Sequence, residues 1–150
     1  QICVRGKNVM KEYYKNPVET KKNFYEDWLL TGDLGLMDSE NFVYVKGRIK
    51  ELIIKGGENI SPREIDDVLY QHPKILEAAA FSVECNHYGE KIEAGVVLKD
   101  KQTVTEEELL KHCVSLLGEF KSPDKIHFFT ELPKGSSGKI QRLKIKDQIK

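Results

Sequence analysis

Long apolar runs are missing from this sequence of 150 residues. No stretch approaches the roughly 18 consecutive apolar residues that a membrane-spanning helix needs. The first fourteen residues, Gln1 to Tyr14, hold no apolar run of signal-peptide length. Net charge is missing too: 24 Lys and Arg balance 24 Asp and Glu. That balance excludes a uniformly basic nucleic-acid binder and an acidic tail protein. Cysteine is scarce, with Cys3, Cys85 and Cys113 odd in number and far apart. They form neither a disulfide framework nor a cysteine-rich zinc site, and point to a reducing, cytoplasmic compartment.

What remains is an ordinary globular mixture, 39% hydrophobic and 32% charged, too apolar for disorder. The zero net charge conceals an asymmetry. Residues 132–150 carry Lys134, Lys139, Arg142, Lys144, Lys146 and Lys150 against Asp147 alone. A basic end beside a glycine-rich loop reads either as a phosphate-binding region or as a solvated helix face. His72, His87, His112 and His127 are dispersed without ligand spacing, so no metal site is expected. Trp28 reads as a packing residue.

Local signals outline the elements. Ile2 to Arg5 reads as a strand. Asn16 before Pro17, with Glu19 in the first turn, predicts a helix to about Phe24. Trp28 to Leu30 reads as a strand, Gly35 to Asn41 as a turn, and Phe42 to Val45 as a strand of strong β-formers. Leu52 to Ile54, then Gly56-Gly57-Glu58-Asn59, predicts a hairpin. Ser61-Pro62-Arg63-Glu64 has the form of a capping box opening a helix that ends near His72-Pro73. Ile75 to Val83 and Ile92 to Leu98 are apolar runs of strand length. Thr105 to Glu108 is a second capping box, before a helix with Leu109, Leu110, Cys113, Leu116 and Leu117 on one face and a stop at Gly118. Ile126 to Phe129 is a third strand. Residues 132–139 form a loop, and Ile140 to Lys150 is expected as an amphipathic helix. The order predicts an α+β domain over 50–150, with a small three-stranded sheet, a β-hairpin and packed helices. A β-rich segment, 1–49, precedes it with no obvious core of its own.

Four clusters in turns and loops could carry chemistry. Thr31-Gly32-Asp33 places a carboxylate after a glycine at a strand end, suited to sugar hydroxyls or simply to its own turn. Gly47-Arg48-Ile49-Lys50-Glu51 sets two cations at the boundary between the two parts, as a site or as a linker. Lys55-Gly56-Gly57-Glu58 lets backbone approach a ligand closely, or is a plain hairpin turn. Pro133-Lys134-Gly135-Ser136-Ser137-Gly138-Lys139 ends in Gly-Lys, but Pro133 stands where a phosphate-loop glycine is required and Ile140 where Ser or Thr is. A lysine on such a loop suits a developing oxyanion or phosphate.

In this order and at these separations, the clusters resemble the C-terminal part of the adenylate-forming enzymes, which include acyl-CoA synthetases, peptide adenylation domains and luciferases. The resemblance covers essentially the whole chain and is strongest to acyl- and aryl-CoA ligases, the coumarate-CoA and fatty-acyl-CoA ligase group. Residues 1–14 resemble the family's GEI…GYY stretch, with Gln1 in place of Glu. Phe24 to Asp33 resembles the segment ending in TGD, with Asp27 where a glycine usually stands. The resemblance implies that Asp33 binds the ribose hydroxyls of ATP and that Arg48 contacts ribose and phosphate. It implies that Lys50 is the hinge, where many members carry Asp. It implies that Gly56, Gly57 and Glu58, with Lys121, contact CoA, and that Lys139 bridges the carboxylate and the α-phosphate. It also implies a carboxylic acid substrate, CoA as co-substrate, Mg²⁺ with the ATP, and a large N-terminal domain holding the phosphate loop and acyl pocket. Residues 1–49 correspond to the tail of that domain, so this chain alone is expected to be inactive in the overall reaction. Two alternatives are an acyl-AMP ligase or adenylation domain that loads a carrier-protein phosphopantetheine, and a non-enzymatic nucleotide-binding module. Neither nucleic acid nor a transmembrane segment is expected.

Overall fold

A computed structural model describes residues 1–149, and the chain forms two compact units, Gln1–Lys50 and Glu51–Lys150. The boundary falls immediately after Lys50. No helix among the described residues is long and apolar enough to cross a membrane.

The first unit holds β1 (Cys3–Val4), α1 (Pro17–Asn23), β2 (Phe24–Tyr25), β3 (Trp28–Leu30), β4 (Asp33–Met37) and β5 (Val43–Arg48). The expected cap is present: the Asn16 side chain accepts the Glu19 N–H at 3.1 Å. β1 and β2 flank β3, and β4 pairs with β5. The expected turn at Gly35–Asn41 is shorter than read, because β4 continues to Met37. Gly35 serves a close approach: a Cβ there would meet Ile2 Cδ1 at 2.7 Å and the Tyr44 carbonyl at 2.9 Å. The reversal itself centres on Asp38, whose carboxylate accepts the N–H groups of Glu40 and Phe42. Trp28 is not core packing. It is 37% exposed, with the Arg5 guanidinium 4.6 Å from its ring centroid.

A 3₁₀ turn, Ile49–Glu51, straddles the boundary, and the second unit holds β6 (Ile53–Lys55), β7 (Glu58–Ile60), α2 (Pro62–Tyr70), β8 (Ile75–Cys85), β9 (Gly89–Leu98), α3 (Glu106–Lys121) and β10 (Lys125–Phe128). β9 is central. It pairs antiparallel with β8 along its length and parallel with β10, and it meets the β6–β7 hairpin at Lys55 opposite Gly89. The three-stranded sheet and the hairpin thus join as one five-stranded sheet.

Strand alternation divides the apolar residues between two faces. Ala78, Ala80, Ile92, Ala94, Val96 and Ile126 face one core with Ile65 and Leu69 of α2 and Leu109 and Cys113 of α3. Ala79, Phe81 and Val97 face the other, which is closed by Leu132 and Ile145 from the C-terminal segment. Gly95 admits that segment: a Cβ there would lie 3.0 Å from both Leu132 Cδ2 and Phe129 Cε2.

Three local expectations are revised. The capping box at Thr105 and Glu108 is complete, but Ser61 makes no side-chain cap bond, and the Glu64 carboxylate turns to Lys121 instead. Gly118 breaks α3 at φ 75° as expected, yet a further turn carries the chain to Lys121. The expected C-terminal helix over Ile140–Lys150 is replaced by two 3₁₀ turns, Arg142–Lys144 and Lys146–Gln148, and Lys150 lies outside the described residues. Burying Ile145 against the sheet and Arg142 against α2 fixes this segment by tertiary contacts, which outweigh its helical pattern.

Candidate functional site

In the first unit, Asp33 opens β4 directly opposite Arg48 at the end of β5. Their side chains meet, Arg48 Nε donating to Asp33 Oδ1 at 3.0 Å. The preceding turn is held by Thr31, whose hydroxyl donates to the Ile2 carbonyl and accepts the Asp33 N–H. Both charged side chains keep solvent access, 50% for Arg48 and 30% for Asp33. A carboxylate paired with an accessible guanidinium can offer acceptors to a diol and a donor fork to a phosphate at one place. Lys50 is exposed in the 3₁₀ turn that joins the units.

In the second unit, Gly56 and Gly57 form the two-residue turn of the β6–β7 hairpin, with φ of 58° and 86°. Two successive positive φ values are the hairpin-turn geometry that glycine adopts without steric cost. The Gly56 N–H donates to the Tyr88 carbonyl at 2.9 Å, locking the turn to the β8–β9 connection. Tyr88 and Phe120 meet edge to face at 6.2 Å, and a Cβ added at Gly56 would lie 3.2 Å from the Tyr88 ring and 3.7 Å from the Phe120 ring. Beneath them Lys55 is buried, its ammonium 3.4 Å from Asp124 and 5.4 Å from the Phe120 ring centre. Lys121, next to Phe120, pairs with Glu64 at 2.9 Å. Glu58 is exposed on the far side of the turn. Bare glycine backbone between aromatic rings and flanking charges is a surface along which a narrow, partly polar chain can lie.

Lys139 is exposed on a different structure. Its loop is closed at the base by an antiparallel bridge between Lys134 and Ile140. The Gly135 N–H donates to the Lys139 carbonyl, the Gly138 N–H to the Gly135 carbonyl, and the Gln141 N–H to the Pro133 carbonyl. Gly138 takes φ 77° to complete the reversal. Below the base, Leu132 and Ile145 are fully buried and Lys134 pairs with Glu77 of β8 at 2.7 Å. The loop therefore presents the exposed Lys139 side chain from a hydrogen-bonded backbone, on the sheet face opposite α2 and α3.

The reading of the C-terminal cations as a solvated helix face is corrected for Lys134 and Arg142, while Lys144 and Lys146 are exposed, on 3₁₀ turns rather than a helix. Lys134 is engaged with Glu77, which holds its ammonium pKa above the usual value. Arg142 is buried against Asp66 of α2, its Nη2 2.6 Å from Oδ2 and its Nη1 3.2 Å from Oδ1. Nη1 also donates to the Ala80 carbonyl, and Nε reaches Glu51 at 3.4 Å. Burial pushes the Asp66 carboxyl up against the opposing pull of Arg142, whose guanidinium stays charged. A second network, also missed, joins His127 to Glu93 at 2.6 Å and Lys91 to Glu93 at 2.7 Å. Burial disfavours the Glu93 carboxylate, but hydrogen bonds from Lys91 and His127 outweigh it and hold its pKa below the usual value. The only signal available for these networks was Glu93 beside the apolar run; Asp66 stands among other charges, Arg63, Glu64 and Asp67, which hide it. Among the described residues no group of three or more His, Cys, Asp or Glu could hold a metal ion.

The structure thus pairs Asp33 with Arg48, gathers Gly56 and Gly57 with the end of α3 that carries Lys121, and mounts Lys139 apart from that turn. A hairpin, a helix, a three-stranded sheet, a second helix and a glycine loop ending in lysine make up the small C-terminal domain of an adenylate-forming enzyme. The family model for the AMP-binding enzyme C-terminal domain matches residues 64–139, and the chain belongs to that family. It is 49% identical over 146 residues to sulfoacetate–CoA ligase of Cupriavidus necator, covering 97% of this chain and 29% of that protein. It is 44% identical to oxalate–CoA ligase of Arabidopsis thaliana, covering 95% of this chain and 28% of that one. Among solved structures, o-succinylbenzoate CoA synthetase of Bacillus subtilis with its acyl-adenylate intermediate matches with TM-score 0.90 and 39% identity, over 97% of this chain and 30% of that one. ATP-bound MatB of Rhodopseudomonas palustris matches with TM-score 0.90 and 34% identity, over 96% of this chain and 29% of that one. The chain therefore spans about three-tenths of the length of these relatives.

Proposed function

We propose that this chain is the C-terminal portion of an ATP-dependent acyl-CoA synthetase, an acid–thiol ligase that forms AMP. Residues 1–49 are the tail of the large AMP-binding domain, and 50–150 are the mobile domain. In the first half-reaction the substrate carboxylate attacks the α-phosphorus of ATP. The bond to pyrophosphate breaks and acyl-AMP forms. Asp33 accepts hydrogen bonds from the ribose hydroxyls, and Arg48 donates to ribose and phosphate. The Lys139 ammonium sits between the carboxylate and the α-phosphoryl oxygens, where negative charge grows, and lowers the barrier electrostatically. Mg²⁺ neutralises phosphate charge in such reactions. We assign its ligands to the large preceding domain.

In the second half-reaction the domain rotates about Lys50. Lys139 withdraws, and the Gly56-Gly57-Glu58 turn with Lys121 lines the path of the CoA arm. The thiol attacks the acyl carbonyl and AMP leaves. One observation carries this reading. A single compact unit holds the Lys139 loop over one apolar core and the glycine turn beside the end of α3, which packs on the other core, so rotation can deliver each in turn.

The test uses the full-length enzyme. Lys139→Ala is expected to slow adenylation by about 100-fold or more, while thioester formation from supplied acyl-AMP survives. Equal loss in both half-reactions overturns the assignment. Lys50→Pro is expected to permit adenylate formation and block transfer to CoA; unimpaired transfer removes the hinge role. Transfer to a holo carrier protein but not to free CoA would replace the acceptor in this scheme.

A further inference from the structure

Arg142 lies three residues beyond Lys139, yet it is only 15% exposed and touches three separate parts of the second unit. Its Nη1 and Nη2 grip the Asp66 carboxylate of α2. Its Nη1 also donates to the Ala80 carbonyl of β8, while the Ala80 N–H donates to Asp66 Oδ1 at 2.6 Å. β8 pairs only with β9 among the described strands, so Ala80 offers both backbone groups on an open sheet edge. Asp66 and Arg142 together take the place of a neighbouring strand there. The third contact is Glu51, the residue directly after Lys50, at 3.4 Å from Nε.

We infer that Arg142 is a positioning residue for Lys139, tying the lysine loop both to the body of its domain and to the start of that domain at the hinge. This rests on the proposed function above. The Lys139 loop is otherwise held by backbone bonds within itself, by apolar side chains and by the Lys134–Glu77 ion pair at its base, none of which reaches α2 or residue 51. A planar fork bonded to α2, to β8 and to residue 51 fixes direction as well as depth. Any turn at Lys50 then reaches Lys139 without slack. A lysine at 142 offers its donors from a single point and cannot span the three acceptors.

The experiment compares Arg142→Lys, Glu51→Gln and Lys139→Ala in the full-length enzyme, each assayed for both half-reactions and for thermal unfolding. Arg142→Lys is expected to lower kcat for adenylation roughly tenfold to a hundredfold, as a displaced reacting group does. KM for ATP should barely move, and thioester formation from supplied acyl-AMP should match wild type after scaling to the folded fraction. Glu51→Gln is expected to lower the same step by a smaller factor. A merely structural Arg142 would depress both half-reactions equally, and that result overturns the inference, as does a variant with neither affected. If Arg142→Lys does not fold, Glu51→Gln decides alone: selective loss of adenylation supports the inference, and no selective loss ends it. Lys139→Ala separates the two levels. If it fails to split the half-reactions, the functional reading falls; if it splits them and the other two variants do not, only the positioning role falls.

Discussion

Asp33 and Arg48 face each other across the β4–β5 pairing, and their side chains close to 3.0 Å. Because both are partly solvated, the pair adds at most about 1 kcal/mol to stability. Its value lies in geometry: each group holds the other beside the Thr31-Gly32 turn. In the proposed reading, Asp33→Ala in the full-length enzyme should raise KM for ATP by about 10- to 100-fold, the worth of a charge-assisted hydrogen bond to a ligand. Arg48→Ala should do the same, and the double variant should lose less than the product of the two, because the residues act together. Strictly multiplicative losses with unchanged melting temperature would show that the pair is not a unit.

The glycine turn separates strain from contact. At Gly57 an added Cβ meets nothing within 4 Å, so Gly57→Ala carries only the cost of φ 86°. At Gly56 the added atom also meets Tyr88 Cδ1 at 3.2 Å. Each substitution should destabilise the domain by about 1 kcal/mol or more, with Gly56→Ala the worse of the two. In the proposed reading both slow thioester formation and spare adenylation. Denaturant midpoints and the two half-reactions measure this directly, and a Gly57→Ala enzyme with the larger stability loss would contradict the geometry.

Which parts were legible in the sequence follows from distance along the chain. The Asn16 and Thr105 caps, the Gly-Gly turn and the strand runs Ile75–Val83 and Ile92–Leu98 depend on neighbours a few residues away, and the structure contains them. Asp66 and Arg142 are 76 residues apart, and His127 and Glu93 are 34 apart, so no local pattern could join them. The C-terminal segment kept its helical pattern in sequence but gains more from burying Ile145 and pairing Arg142 than from helix formation. Gly35 was misread for a related reason. Its turn-like identity reflects the approach of Ile2, a contact made from the far end of the unit.

The cysteines differ in their chemistry. Backbone N–H groups of Tyr88 and then His87 lower the Cys85 thiol below its ordinary value. Burial pushes the fully buried Cys113 from 9.0 up to about 11. Alkylation mapped by mass spectrometry should therefore label Cys85 at lower pH and faster than Cys113. The Cys113 shift also makes stability depend on pH. Between about 9 and 11 the unfolded thiol ionises while the folded one stays protonated, so its contribution is complete below 9 and is lost as pH rises. Equal labelling of the two cysteines in native protein would show that the α3 core opens freely.

Gly95 lets the second core exist. It lies mid-strand in β9, and the Leu132 and Phe129 side chains pack where its Cβ would stand, at 3.0 Å each. Those residues lead into the Lys139 loop, and Leu132 anchors its base. Gly95→Ala must push both aside by a few tenths of an ångström, and overpacking of this kind costs about 1–3 kcal/mol. The core under α2 and α3 lies on the other side of the sheet and should keep its packing. The strain therefore falls on the segment that carries Lys139. The expected result is a lowered unfolding temperature together with slower adenylation, thioester formation from supplied acyl-AMP being less affected. Restoring room with Leu132→Val should recover part of the adenylation rate in the double variant. No recovery, with both half-reactions reduced alike, would mean that Gly95 supports the sheet as a whole rather than the seat of the lysine loop.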